Sequence, residues 1–250
     1  NFIPCNGRFP MLISLATVFF AGAAIGFGQT AISTVIVTCV IIFGVLMTFA
    51  ISGILSKTIL KGVPSSFTLE LPPYRKPQFI KVLARSVLDR TLFVLGRAMV
   101  VAAPAGLVIW LLANVTVDGA SLLQYCSDFL DPFARLMGLD GVILLAFILG
   151  FPANEIVIPI IIMCYMSSGT LVEFDSIWEL KELLTANGWT WATAVSTMLF
   201  SLMHFPCSTT CMTIFKETKS VKWTLVSFFV PTLTGILVCM AFTAAVNLFA

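Results

Sequence analysis

Charge is what this sequence has least of. Only 10% of its 250 residues are Asp, Glu, Lys or Arg, whereas a soluble domain of that size carries about 25%. A water-facing surface has to be polar somewhere, so the simplest solvent for so apolar a surface is lipid. Histidine is nearly absent too, with one in the chain, so a Ser-His-Asp triad has only His204 to draw on and nothing around it suggests one. There is no G-x-x-x-x-G-K-[ST] loop for nucleoside phosphates, no H-E-x-x-H and no C-x-x-C. These absences remove the usual phosphate-binding, metalloprotease and thiol-oxidoreductase signatures, and no enzyme is expected. A net charge of +2 is too small to argue for nucleic acid. Seven cysteines in 250 residues do not make a disulfide scaffold. Cys39, Cys164 and Cys239 lie inside apolar runs, where a thiol behaves as a small hydrophobe. No secretory signal pattern is present. The opening NFIPCNGRFP, without Met, reads as the middle of a longer protein.

What the sequence does have is apolar length. A spanning helix needs about 20 apolar residues, and stretches 10–27, 31–55, 94–113, 142–166, 189–215 and 223–249 reach or approach it. The second and the last read as uninterrupted spans. Between the second and third lies a basic connection, residues 56–93, with Lys57, Lys61, Arg75, Lys76, Lys81, Arg85 and Arg90, and Arg97 just beyond. The positive-inside rule places it in the cytoplasm. LELPPYRKP within it predicts an extended elbow. Residues 78–93 space Ile80, Leu83 and Val87 against Lys81, Arg85 and Asp89, which predicts an amphipathic helix at the interface or against other protein. Residues 114–140 and 169–188 are acidic and are expected outside. KETKSVK at 216–222 returns to basic character and is expected inside.

Both flanks of 142–166 are therefore on the same side, so this stretch predicts a hairpin that enters and returns, with GFPANE at its tip. Non-helical backbone at membrane depth survives only when buried in protein or facing a wet cavity. Stretch 189–215 must then cross, interrupted near HFPC. Pro-interrupted apolar segments point to a transporter's binding site. FIPCNGRFP and HFPCSTTC each place Pro-Cys at such a break, as two related halves would.

The candidate ligands sit at these breaks. His204, Cys207 and Cys211 form H-x2-C-x3-C, whose i, i+3, i+7 spacing shares a helical face. Imidazole and thiolate suit Fe(II), Zn, Co, Ni or Cu and not Mg or Ca. The plainer reading is packing, with His204 bonded to a carbonyl. Glu155 is the only carboxylate in the apolar part of its hairpin. At membrane depth it is a cation ligand or proton-coupled gate, or a protonated cap on freed backbone. Asn154 offers an amide oxygen or a helix cap. Cys5 sits in P-C-N-G-R. Arg8 beside it neutralises freed carbonyls or reaches headgroups. Met203 adds a thioether beside His204 or simply packs.

Together FIPCNGRFP, GILSKTILKGVPSSFTLELPPYRKP, ILGFPANEIVIPIIIM and FSLMHFPCSTTCMTI resemble, in order along the whole chain, the membrane portion of the ferrous iron transport protein B (FeoB) family. The resemblance implies an all-α polytopic membrane bundle with a re-entrant hairpin and broken helices, in a gate fold of inverted repeats like that of nucleoside transporters. It implies residues 1–55 as the second part of a first gate, 56–97 as a cytoplasmic connector, and 98–250 as a transmembrane helix plus a second gate. Gate cysteines would fall on Cys5 and Cys207, with Cys211, His204, Glu155 and Asn154 as further candidate metal ligands. The implied function is passage of Fe(II), as substrate, across a bacterial inner membrane in multi-pass form. GTP would act only through an upstream domain that these residues do not include. The bilayer, the upstream GTPase domain and first-gate hairpin, a small cytoplasmic accessory protein of the iron system and a homo-oligomer are the implied partners, and nucleic acid is not. A gate-fold transporter of another solute, such as a nucleoside, is the alternative.

Overall fold

Long apolar runs free of acidic residues have one low-cost conformation in lipid, the helix, because it satisfies every backbone group internally. A computed structural model describes residues 2–21, 27–58, 78–86, 92–117, 119–167, 169–171 and 176–249. Eleven helices run through them: α1 (Phe9–Phe20), α2 (Phe27–Thr58), α3 (Phe79–Ser86), α4 (Phe93–Asn114), α5 (Leu122–Leu136), α6 (Gly141–Leu149), α7 (Val157–Met166), α8 (Ile177–Ala186), α9 (Trp191–Met203), α10 (Ser208–Thr218) and α11 (Val221–Phe249). The only strands among the described residues are β1 (Thr116–Val117) and β2 (Ala120–Ser121), an antiparallel pair between α4 and α5.

Among the described residues, three helical stretches are long and apolar enough to cross a membrane: α2, α11, and the 28 residues of α9 and α10 taken together. The two expected uninterrupted spans are thus present. Stretch 10–27 is different. Its helix α1 has 12 residues, about 18 Å at 1.5 Å per residue, so it runs from an interruption to one end of the bundle without crossing.

The expected hairpin forms. Asp140 caps α6 by accepting the Ile143 N–H at 2.7 Å, and α6 stops at Gly150. The chain turns through Phe151–Ala153, makes one 3-10 turn over Asn154–Ile156 and returns as α7. Its two ends meet, since the Tyr165 hydroxyl at the end of α7 donates to Asp140 at the start of α6. Trp189 Nε1 donates to the same hydroxyl at 2.7 Å, and Trp189 stacks on Phe19 with centroids 6.0 Å apart. The base of the hairpin, the start of α9 and the end of α1 are therefore tied together. The acidic residues Asp128, Asp131, Asp140, Glu179 and Glu182 gather near this end, while Lys57 ends α2 and Lys216, Lys219 and Lys222 surround the α10–α11 turn.

The core lies between α1, α6, α7 and α9, where Leu12, Leu15, Ile143, Phe147, Ile160, Ile161, Met198 and Phe200 are fully buried. Among the cysteines called hydrophobes, Cys239 is buried, whereas Cys39 lies on the exposed face of α2. Two expectations need adjusting. The amphipathic helix spans Phe79–Ser86 within 78–93, with Ile80, Lys81, Leu83 and Arg85 all exposed; Val87 and Asp89, like the LELPPYRKP elbow, lie outside the described residues. The acidic segment 114–140 is more than a polar connection, because it contains α5.

Candidate functional site where three helix breaks meet

Three non-helical segments converge: residues 4–8 ahead of α1, residues 150–156 at the hairpin tip, and residues 204–207 between α9 and α10. Each break frees backbone groups that lipid cannot satisfy, and the breaks satisfy one another. Arg8 is 3% exposed. Its Nη1 donates to the Leu202 carbonyl at 3.0 Å and its Nη2 to the Phe205 carbonyl at 3.1 Å. Of the two roles open to Arg8, it takes the neutralisation of freed carbonyls, and it does so on the other break. The Ser208 N–H donates to the Phe151 carbonyl at 2.9 Å, and its hydroxyl to the Pro152 carbonyl at 3.3 Å. The hairpin tip is thus docked on the N-terminus of α10.

Glycine lets two of these segments come close to the following span. A Cβ on Gly44 of α2 would overlap the carbonyl oxygen of Phe2, and one on Gly235 of α11 would lie 3.2 Å from Met203 Cβ. Each Pro-Cys break therefore rests on a glycine of a neighbouring long helix, a parallel between the two halves that their sequences do not display.

Asn154, 8% exposed, stands at the hairpin tip and bridges the first and third breaks. Its amide lies 3.8 Å from Cys5 Sγ and 3.3 Å from His204 Nε2. His204 Nδ1 faces the carbonyls of Ser201 at 2.9 Å and Phe200 at 3.2 Å. Carbonyls only accept, so Nδ1 is the donor in these two contacts. The Asn154 amide donates its NH2 to the Cys5 sulfur and turns its oxygen to Nε2. His204 is 1% exposed and enclosed by the rings of Phe147, Phe200 and Phe205. In this state both of its nitrogens are engaged, as the packing reading expects.

Cys207 stands at the N-cap of α10, where the helix dipole presents its positive end, and its sulfur contacts the hydroxyls of Thr209 at 3.1 Å and Thr210 at 3.2 Å. Arg8 lies within electrostatic range of both Cys5 and Cys207. Cys211 is one turn further along α10, with its thiol 3.6 Å from the Pro206 carbonyl. His204, Cys207 and Cys211 do not close into a cluster. Among the described residues no three of His, Cys, Asp and Glu are grouped to hold a metal. The reason is the break itself, which turns His204 inward to Asn154 and leaves Cys207 and Cys211 on a separate helix.

Glu155 lies against Gly7 of the first break. Its Cγ would lie 3.0 Å from a Cβ on Gly7, and it lines a cleft of about 240 Å³ with Pro10, Ser14, Ile158 and Pro159. It is exposed to that cleft. Sequence reasoning missed the roles of Ser208, Gly44 and Gly235. The Ser directly after a Pro-Cys pair was the available signal for the first; the glycines carried none.

Spans, a hairpin returning on its own side and a crossing helix interrupted at the meeting point define a gate-type helical membrane protein. A family model described as "Nucleoside recognition", the gate family, matches residues 78–221, and one described as "Ferrous iron transport protein B C terminus" matches residues 37–90. The chain belongs to the gate-containing family of the ferrous iron transport protein B. Curated relatives are each named "Fe(2+) transporter FeoB". That of Staphylococcus aureus strain COL is 29% identical over 99% of this chain and 36% of its own length. That of Synechocystis is 30% identical over 75% and 30% respectively, and that of Leptospira biflexa 25% over 90% and 35%. The chain spans about a third of the length of these relatives. No solved structure matches it.

Proposed function

We propose that the chain is the permease portion of a ferrous iron uptake transporter and that Fe(II) passes between the two Pro-Cys breaks. The observation that carries the reading is the meeting of the three breaks, where Arg8 of the Cys5 break bonds the carbonyls of Leu202 and Phe205 beside Cys207 and the Asn154 amide reaches Cys5. Thiolate favours Fe(II) over Mg or Ca. A transporter must also release its ion, so few ligands and weak binding suit the task better than a closed tetrahedral site, in keeping with an open arrangement. Fe(II) is the substrate here. Residues 1–55 act as the second part of one gate, 56–97 as the cytoplasmic connector and 98–250 as a spanning helix plus the second gate. The acidic end of the bundle faces outside and the Lys-rich end the cytoplasm of a bacterial inner membrane. GTP and an upstream GTPase domain would belong to the longer protein.

Cys5→Ser, Cys207→Ser and the double substitution test the reading through Fe(II) uptake in the longer protein, with expression and thermal unfolding monitored. Each single substitution is expected to lower uptake at least about tenfold, about 1.4 kcal/mol in the barrier. Wild-type uptake in the double variant would eliminate the thiol pathway. Glu155→Gln is expected to leave unfolding unchanged, since no freed backbone group is bonded to it among the described contacts, and to lower Fe(II) uptake about tenfold. Unchanged uptake would remove the carboxylate from the path.

The name of the gate family and the amide of Asn154 favour a second reading, a nucleoside as solute. Competition of uptake by uridine or adenosine would support it, and competition by Mn(II) or Zn(II) alone would oppose it.

A further inference from the structure

Helix α5 has three faces where an ordinary surface helix has two. At about 100° per residue, Leu123, Ser127 and Ala134 fall in one sector, and they are buried against α6. Tyr125, Phe129, Phe133 and Leu136 fall in a second sector and are 46%, 85%, 44% and 56% exposed. Gln124, Asp128, Asp131 and Arg135 fall in the third, where Arg135 pairs with Asp131. Exposed aromatics contiguous along a helix call for an apolar partner, and the polar sector on the same helix requires water. A membrane interface supplies both at once.

The orientation agrees. α5 is bent by 108° from α6, so if α6 enters the bilayer as one leg of the hairpin, α5 lies close to the membrane plane. Exposed Trp110, Trp178 and Trp191 stand at the same end of the bundle, at the end of α4 and the starts of α8 and α9. Indole and phenol rings concentrate at headgroup level.

We propose that α5 is an interfacial helix that seats its Tyr125–Phe129–Phe133–Leu136 stripe in the acyl chains of the outer leaflet and thereby sets the depth of the hairpin. The linkage to the hairpin is short and rigid. Only residues 137–140 separate α5 from α6, and the Asp131 carboxylate accepts the Gly141 N–H at 3.1 Å. Asp131 therefore holds the first turn of α6 from the polar sector of α5, so the seating of α5 is transmitted to the tip that carries Asn154. This inference rests on the membrane reading of the chain and is independent of which solute passes.

The test places a cysteine singly at Asp128 or at Phe129 in the full chain, reconstituted in phosphatidylcholine–phosphatidylglycerol liposomes. Modification at each position is read by mass spectrometry of the peptide, so the native thiols stay in place. A charged, membrane-impermeant maleimide is expected to modify position 128 at least ten times faster than position 129, and an apolar maleimide to reverse or abolish that preference. Transfer to detergent-free lipid nanodiscs is expected to preserve the pattern. Equal modification of both positions by the charged reagent would overturn the proposal, because the stripe would be in water. Protection of position 129 from both reagents, with 129–129 cross-links between copies, would overturn it in favour of a second copy of the chain. Thermal unfolding of each variant confirms that a folded protein is being read, and Fe(II) uptake in the same preparation separates this result from the fate of the permease reading.

Discussion

Replacing Arg8 by Met is expected to destabilise the protein more than any other single change at the site. Arg8 is buried, and its two terminal nitrogens serve the carbonyls of Leu202 and Phe205, nearly two hundred residues away in sequence. Met keeps the length and apolar volume of the side chain and removes both donors. Two buried carbonyls then lose their partners, at about 1–3 kcal/mol each, so a loss of about 2–6 kcal/mol is expected in thermal or denaturant unfolding. Arg8→Lys can reach one carbonyl but not both with the same planar fork, and it is expected to recover about half of the loss. If Arg8→Met unfolds at the wild-type temperature, the two breaks do not depend on this bridge.

Gly44→Ala has the second largest expected effect. Its new methyl would overlap the Phe2 carbonyl oxygen and lie 3.1 Å from Leu202 Cδ2. Phe2 is main chain, so the first break as a whole must move. Overpacking of this kind costs about 1–3 kcal/mol, and the displaced segment carries Cys5. Gly53 lies on the same helix with nothing within 4 Å of its Cβ position. Gly53→Ala is therefore the control and is expected to stabilise α2 by about 0.5–1 kcal/mol, the usual helix-interior difference. Loss of uptake and stability in Gly44→Ala but not in Gly53→Ala, measured side by side, would locate the effect in the contact with Phe2. Equal behaviour of the two would place it in helix propensity.

The interruptions show how far residue type alone could go. Pro152 and Pro206 mark real breaks, and the polar or sulfur-bearing residues around them signal both in the sequence. Pro104, Pro132 and Pro231 sit inside continuous helices α4, α5 and α11. Proline removes one donor and crowds one carbonyl, but whether the helix ends there depends on what else can satisfy the freed groups. At Pro206 the partners are Arg8, the Phe151 and Pro152 carbonyls and the Asn154 amide, all distant in sequence. The H-x2-C-x3-C motif illustrates the same limit. Its spacing promised a shared face, and the break that makes the segment interesting also turns His204 away from the two thiols.

By itself the sequence determined that the chain lives in lipid, where its long helices run, which end of the bundle is basic, and that 142–166 doubles back. These follow from local quantities: apolar length against bilayer thickness, the count of basic residues on each connection, and the parity that two acidic flanks impose on the segment between them. Only the tertiary structure decided which carbonyls Arg8 serves, that Asn154 joins Cys5 to His204, that Glu155 packs on Gly7 of the first break, and that α5 exposes an aromatic stripe between a packed face and a charged one. Those outcomes depend on pairings between backbone groups freed at separate breaks. A group freed in lipid has to find its partner wherever the fold brings one, and the distance along the chain does not enter that requirement.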